Sequence, residues 1–456
     1  MAIMDYNEIE GPAIPSGDAR TKFTSSLIEA VPLGTSYVAI GMVVTGIAAY
    51  GFISLTAHIL GPARYTSISS LWAAIFVVGP GIFLPLQQVI NHQFAYRKVH
   101  QLGAGPVAYR AASIGGLMVL FLLICTSVGA PELKKYLFDG STELVVGFAL
   151  ALIGYSMLYV VSGILTGSGR FGYYAIGQSL DGLLRIAVCI ILAIVGVKTV
   201  GPYGIVFGAV PVVVALAVLV PNRHLLKAGP PVDKKVMSTS LSWLIVGSVG
   251  AQLLLNASII SFKVLSNHAN QTQVGSFIAG VVIARIPLFL FSAIQTTLLP
   301  RLSLLSHAGE FRRLNRDILH ITALVATIGV VCTLGIAALG PWVLKVFFGH
   351  HFLLGRSTMT ILAGTISLYM LAMVANQGLI ARGKSAYSAA GWVLGLTVFV
   401  AILFTHISLM TRIELAYLVG TITSLITEFG LYWFMHNTTL RQNKSTIQHE
   451  IGGSAN

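Results

Sequence analysis

Runs of about twenty apolar residues recur along the chain, each ended by a short polar loop, and twelve such runs are present. At 1.5 Å per residue, a helix of that length matches the roughly 30 Å hydrocarbon core of a bilayer. The first six runs fall at 34–58, 68–92, 107–129, 144–166, 173–196 and 201–221. The second six fall at 239–263, 274–300, 318–340, 357–380, 386–408 and 413–435. The pattern predicts an all-α integral membrane protein with twelve transmembrane spans. It divides the chain into an N-terminal segment (1–32), a six-helix bundle (33–226), a linker around KAGPPVDKK (227–237), a second six-helix bundle (238–436) and a polar tail (437–456). The tail ends in GGSAN and is expected to be disordered.

The two bundles carry an internal repeat. Pro80 and Gln88 in span 2 recur as Pro287 and Gln295 in span 8, both at an offset of 207. The motif P-x-x-x-K-x-x-F follows span 3 as Pro131, Lys135 and Phe138, and follows span 9 as Pro341, Lys345 and Phe348, an offset of 210. G-[RK]-x-x-Y-x-A-x-G opens span 5 (Gly169, Arg170, Tyr173, Ala175, Gly177) and span 11 (Gly383, Lys384, Tyr387, Ala389, Gly391) at an offset of 214. Small loop insertions account for the slow growth of the offset. Each half holds an even number of spans, so the halves run in the same direction, as two parallel bundles about an axis along the membrane normal.

Composition agrees with this reading. Apolar residues make up 55% of the 456 positions, charged residues 9%, and the mean hydropathy is +0.83, whereas soluble domains carry about 25% charged residues. The formal charge of +13 resembles a nucleic-acid signal only until it is mapped. Most Lys and Arg lie in the terminal segments and the loops after spans 2, 4, 6, 8 and 10. The alternate loops hold only Arg64, Lys134, Lys135, Lys198, Lys345, Arg356 and Arg412. By the positive-inside rule both termini are cytoplasmic, and the basic loops are topology signals that imply no nucleic acid. The stretch 301–317 is basic and partly amphipathic, which suits either an interfacial helix on anionic lipid or an ordinary positive-inside loop. The acidic start of the chain does not resemble a cleaved signal. Cys125, Cys189 and Cys332 all lie in apolar runs and read as small buried hydrophobes, without disulfide or metal spacing.

Against this background a few polar residues stand out. Span 8 (274–300, midpoint 287) carries Arg285 two residues from its centre, followed by Pro287. A central arginine costs roughly 2.5–3.5 kcal/mol on insertion scales. Either a cavity where it attracts an anion or a buried acid such as Glu428 in span 12 must offset that. Helical spacing places Ser292 and Thr296 on the same face as Arg285. Pro80 and Pro85 interrupt span 2 as Pro287 interrupts span 8, and proline-broken helices at matching places in two repeats point to a binding site. Gln252 and Asn256 share one face of span 7 and, with Gln88 and Gln295, suit either sugar hydroxyls or contacts between helices. Asp181 and Arg185, four residues apart in span 5, form a self-neutralising pair or an ion relay. With Glu428 they make up the intramembrane charges expected to act together. There is no H-E-x-x-H, and GSGRFG at 167–172 follows a span where a dinucleotide loop would follow a strand. No catalytic group, metal site or cofactor is expected.

The twelve spans in two parallel halves, the motif opening spans 5 and 11, the P-x-x-x-K-x-x-F segments and LLPRLSLLS at 298–306 together resemble the polysaccharide flippase branch of the multidrug/oligosaccharidyl-lipid/polysaccharide exporter superfamily. The resemblance covers nearly the whole chain. It implies a V-shaped pair of bundles with a central cavity lined chiefly by spans 1, 2, 7 and 8. The cavity would open alternately to each side of the cell membrane while a lipid-linked oligosaccharide, undecaprenyl-linked in bacterial members, passes to the outer leaflet. Its partners would be that substrate, membrane lipids, and the glycosyltransferases or polymerase acting before and after it. Members commonly keep basic residues in the cavity, which Arg285 matches in kind. A cation-coupled multidrug antiporter of the same superfamily is the rival reading, although spans 1, 2, 7, 8 and 10 contain no Asp or Glu. An integral membrane glycan-processing enzyme is a second rival, disfavoured by the short loops.

Overall fold

The computed structural model describes residues 33–231, 239–266 and 270–453, and every regular element among them is helical. The first helix, α1 (Leu33–Val78), contains spans 1 and 2 in one run that turns at Gly61 (φ 71°, ψ 168°), with Pro62 next. Glycine takes this left-handed backbone at little cost, and proline cannot continue the hydrogen-bond ladder behind it. Span 2 is broken again by a π-helical turn at Gly79–Phe83 and resumes as α2 (Leu84–Val99). The first half continues with α3 (Gly105–Val128), α4 (Thr142–Gly167), α5 (Phe171–Ile194) and α6 (Val200–Leu219). Two short turns, Ala130–Glu132 and Leu133–Leu137, lie between α3 and α4. Ser141 caps α4, accepting a hydrogen bond from the Leu144 amide at 3.3 Å.

The second half comprises α7 (Thr239–Leu265), α8 (Gln271–Ala284), α9 (Ile286–His307), α10 (Phe311–Phe348), α11 (Arg356–Ala381), α12 (Ser385–Leu403) and α13 (Leu409–Gly453). Among the described residues ten helical stretches are long and apolar enough to cross a membrane. The stretch Ile40–Lys98 counts once although it contains two spans, and span 8 is absent because it is split into α8 and α9. With those two restored, the twelve crossings of the apolar pattern are all present in this multi-pass membrane protein.

The repeat is visible in the packing. Span 4 lies along span 6 in the first half (α4 on α6), as span 10 lies along span 12 in the second (α11 on α13). Span 1 pairs with span 5 (α1 with α5), as span 7 pairs with span 11 (α7 with α12). Spans 3 and 9 are also equivalent. Only 17% of the most apolar stretch of α3 and 11% of that of α10 is buried, so both form a lipid-facing rim. The halves meet through α1 against α7 and α8, and one apolar core draws residues from both.

One expectation changes. The helix α13 runs on to Gly453, where an irregular tail was expected from Asn437, because nothing from 437 to 451 breaks the helix and the first glycine comes only at 452. The start of the linker is also fixed. Arg97, buried, donates through one nitrogen to the carbonyls of Gly103 (2.7 Å) and Pro230 (2.9 Å), and the Gly105 amide donates to Lys227 (2.7 Å). The rest of the linker and residues 1–32 lie outside the described residues.

Candidate functional site

Arg285 sits at the break in span 8. With no amide hydrogen on Pro287 the ladder is interrupted, so α8 stops at Ala284 and α9 restarts at Ile286, with Arg285 between them. The break lies where span 2 has its π turn, so Pro80 and Pro287 mark equivalent interruptions. Pro85, two residues beyond that turn, opens α2 and is buried. The carbonyl of Pro80 accepts a hydrogen bond from Ser248 of span 7 at 2.9 Å, which ties the interrupted turn to the other half.

The Arg285 guanidinium is 3% exposed and stands between the halves. It donates to Asn256 Oδ1 at 3.1 Å and to the carbonyl of Leu255. The ring of Trp72 in span 2 lies 5.5 Å away, within cation–π range. Tyr50, Tyr369 and Tyr417 stand around it. Their hydroxyls donate to the carbonyls of Val282 (2.8 Å), Ala251 (3.2 Å) and Leu255 (3.4 Å). Beside the guanidinium is a cavity of about 10 Å³ lined by Ala49, Tyr50, Ile53, Trp72 and Val282, room for about one water. The Arg285 Nε has no partner.

No acid among the described residues neutralises this cation. Among the described residues the ion pairs are Arg185–Asp181, Lys263–Asp139, Arg301–Asp317 and Arg313–Glu310. Glu428 is fully buried, but neither carboxyl oxygen has a partner, and it lies against Gly391, where a β-carbon would stand 2.5 Å from Oε1. The ion pair between Arg285 and Glu428 is therefore absent. Glu428 also lies apart from Asp181 and Arg185, so the three intramembrane charges do not form one network. Arg185 instead grips Asp181 at 2.7 and 2.9 Å, donates to Tyr155 at 3.0 Å and lies 4.3 Å from the Phe207 ring, all within the first half.

Of the amides, the structure brings only Asn256 to Arg285. Gln252 gives its backbone carbonyl to Asn256 Nδ2 at 2.9 Å, while its side chain is half-buried. Gln295 lies ten residues beyond Arg285 along α9, about 15 Å away on its axis, and Gln88 is exposed on α2. The side chains of Ser292 and Thr296 lie outside those described. The aromatic cage of Tyr50, Trp72, Tyr369 and Tyr417 is not apparent from the chain, since tyrosines in apolar spans carry no spacing signal. No spacing in the chain signals a second polar cluster either: Lys263 at the end of α7 pairs with Asp139, 124 positions earlier, at 2.6 Å.

No protein-family model matches the chain. An uncharacterized protein of Mycobacterium bovis is 23% identical over 433 residues, covering 93% of this chain and 96% of that protein. Another, from Mycobacterium tuberculosis, is 24% identical over 376 residues, covering 81% and 85%. Among solved structures, the inward-facing conformation of a multidrug resistance MATE family transporter of the MOP superfamily superposes with a TM-score of 0.68 at 13% identity. The match covers 87% of this chain and 96% of that one. A MOP superfamily transporter from Pyrococcus furiosus, described by a binding pocket of reversed polarity that suggests a different function, gives 0.67 at 15% identity over 88% and 94%. The chain has the two-bundle fold of MATE-type transporters of the MOP superfamily.

Proposed function

We propose that the protein is a plasma-membrane transporter that carries a lipid-linked oligosaccharide from the cytoplasmic to the outer leaflet by alternating access. In this reading both termini and the basic loops are cytoplasmic. The observation that carries it is Arg285: a buried cation between the halves, held only by neutral groups. Such a guanidinium keeps its charge for a ligand, and arginine binds phosphate-type anions bidentately. The anionic linkage between lipid and glycan is the group it would hold. A cavity of about 10 Å³ cannot admit that ligand, so binding requires the halves to part. The glycosyltransferases that build the substrate and the polymerase that consumes it are the partners this reading implies.

A multidrug antiporter is the second reading, favoured by the description of two fold neighbours as multidrug resistance transporters. A positive cavity without acids repels organic cations. The Pyrococcus furiosus neighbour, described by its reversed pocket polarity, shows that sign can vary within this fold. A glycan-display assay on cells carrying Arg285→Ala or Arg285→Glu tests the first reading, with loss of surface glycan expected. Normal display with glutamate at 285 would sink it. Dye efflux by proteoliposomes under a proton or sodium gradient would decide for the antiporter.

A further inference from the structure

The end of the molecule opposite the basic loops is closed by two contacts that the internal repeat relates. Each P-x-x-x-K-x-x-F segment is followed by a residue with left-handed backbone: Asp139 (φ 46°) after Phe138, and Gly349 (φ 96°) after Phe348. The offset between them, 349 − 139, is the 210 of the motifs themselves. Each reaches across to the other half. Asp139 meets Lys263 of span 7, while Gly349 meets His58 of span 1, where a β-carbon on the glycine would stand 3.5 Å from Nε2. His58 and Lys263 lie at corresponding ends of spans 1 and 7, within one residue of the 206 offset at which Gly41 and Gly247 pack on the repeat mates Ala175 and Ala389.

The two contacts differ in chemistry. Lys263 is 2% exposed, and its ammonium donates to both carboxylate oxygens of Asp139 (2.6 and 2.8 Å), to Thr66 Oγ1 (2.8 Å) and to Gln271 Oε1 (2.8 Å). The Ser67 hydroxyl donates to the same carboxylate. Asp139, Thr66 and Ser67 belong to the first half, Lys263 and Gln271 to the second. On the other side the seal is aromatic, with Tyr65 of the first half edge-on to Phe348 and Phe352 of the second at 5.9 and 5.6 Å. Glycine is the residue that left-handed backbone favours, and position 349 has it. Position 139 accepts the strain of a side chain there, and what it gains is a carboxylate on the buried lysine.

We propose that Lys263 and Asp139 form the latch of the outer gate, holding the halves together above Arg285, and that this latch must part before the cavity opens outward. The proposal rests on the alternating-access reading and adds the group that controls one of its two states. The pair is complete only when the gate is closed. Removing the carboxylate leaves a buried ammonium without its anion, a penalty borne by the closed state alone, since water solvates the lysine once the gate opens. Removing the lysine as well takes that penalty away.

The test uses the full chain with its three cysteines replaced and Ala49→Cys placed in the cavity beside Arg285. A membrane-impermeant methanethiosulfonate is added from each face in turn. Asp139→Asn and Asp139→Gly both tolerate the left-handed backbone, and each should raise labelling from the outer face roughly tenfold. Adding Lys263→Met to Asp139→Asn should return the rate to that of the parent, an outcome that a misfolded variant would not give. Thr66→Val, which removes a neutral acceptor, should raise it less. Unchanged labelling in Asp139→Asn, or a rise that Lys263→Met does not reverse, would overturn the latch. Labelling needs no transport, so normal glycan display in Arg285→Glu would defeat the flippase reading while leaving this result to stand. Gating seen from the cytoplasmic face would instead reverse the assigned orientation.

Discussion

The two halves of the molecule share a scaffold and differ in how they hold charge. In the first half, the charges at mid-span lie on one helix and neutralise each other, Asp181 against Arg185, with Tyr155 and Phe207 closing the site. The positions equivalent to that pair in the second half are Gly395 and Phe399, which carry none. The second half has Arg285 where the first has Val78, and it has Glu428 as well, but the two do not meet. A self-neutralised pair belongs to the scaffold. A cation held at the junction by neutral acceptors serves something outside it.

The largest effect that would test this contrast comes from breaking the pair. Asp181→Ala leaves Arg185 buried with a phenol and two rings, and should lower stability by about 3–5 kcal/mol in thermal unfolding of detergent-solubilised protein. Adding Arg185→Met should recover most of that. In the second half the sign reverses. Arg285→Met removes a cation with no acid to leave behind, and should raise stability by about 1–3 kcal/mol while abolishing glycan display. If both single substitutions destabilise alike, Arg285 is scaffold after all and the contrast fails.

How far the sequence reveals this depends on the range of each interaction. The spans, the paired interruptions at Pro80 and Pro287 and the Asp181–Arg185 pair are all local, set by apolar runs, a missing amide hydrogen or an i,i+4 spacing. Their counterparts in the structure follow directly. The cage around Arg285 draws on Tyr50, Trp72, Asn256, Tyr369 and Tyr417 from five spans, and no local spacing relates them. Lys263 and Asp139 are 124 positions apart, and each is unremarkable in its own loop or span end. Only the fold brings them together. The repeat did contain a usable clue, since it places an aspartate where its mate has a glycine.

An intermediate effect separates the halves through one glycine of the repeated motif. At Gly391 an added β-carbon would stand 2.5 Å from Glu428 Oε1, whereas at its mate Gly177 the nearest neighbour is a Val218 methyl at 3.4 Å. Gly391→Ala should therefore cost about 1–3 kcal/mol by overpacking. Gly177→Ala should be neutral or gain up to about 1 kcal/mol from helix propensity. Equal melting shifts for the two would show that Glu428 yields easily.

The smallest effect tests what Glu428 itself does. Its carboxyl lies against Gly391 of α12 and, among the described residues, has neither a hydrogen-bond partner nor an ion-pair partner. Glutamine has the same shape and loses no contact there, so Glu428→Gln should shift stability by no more than about 0.5 kcal/mol. A loss comparable to that of Asp181→Ala would reveal a partner for the carboxyl and would make the second half as internally neutralised as the first. A small shift together with lost transport would instead place Glu428 beside Arg285 among the residues that the second half keeps for function.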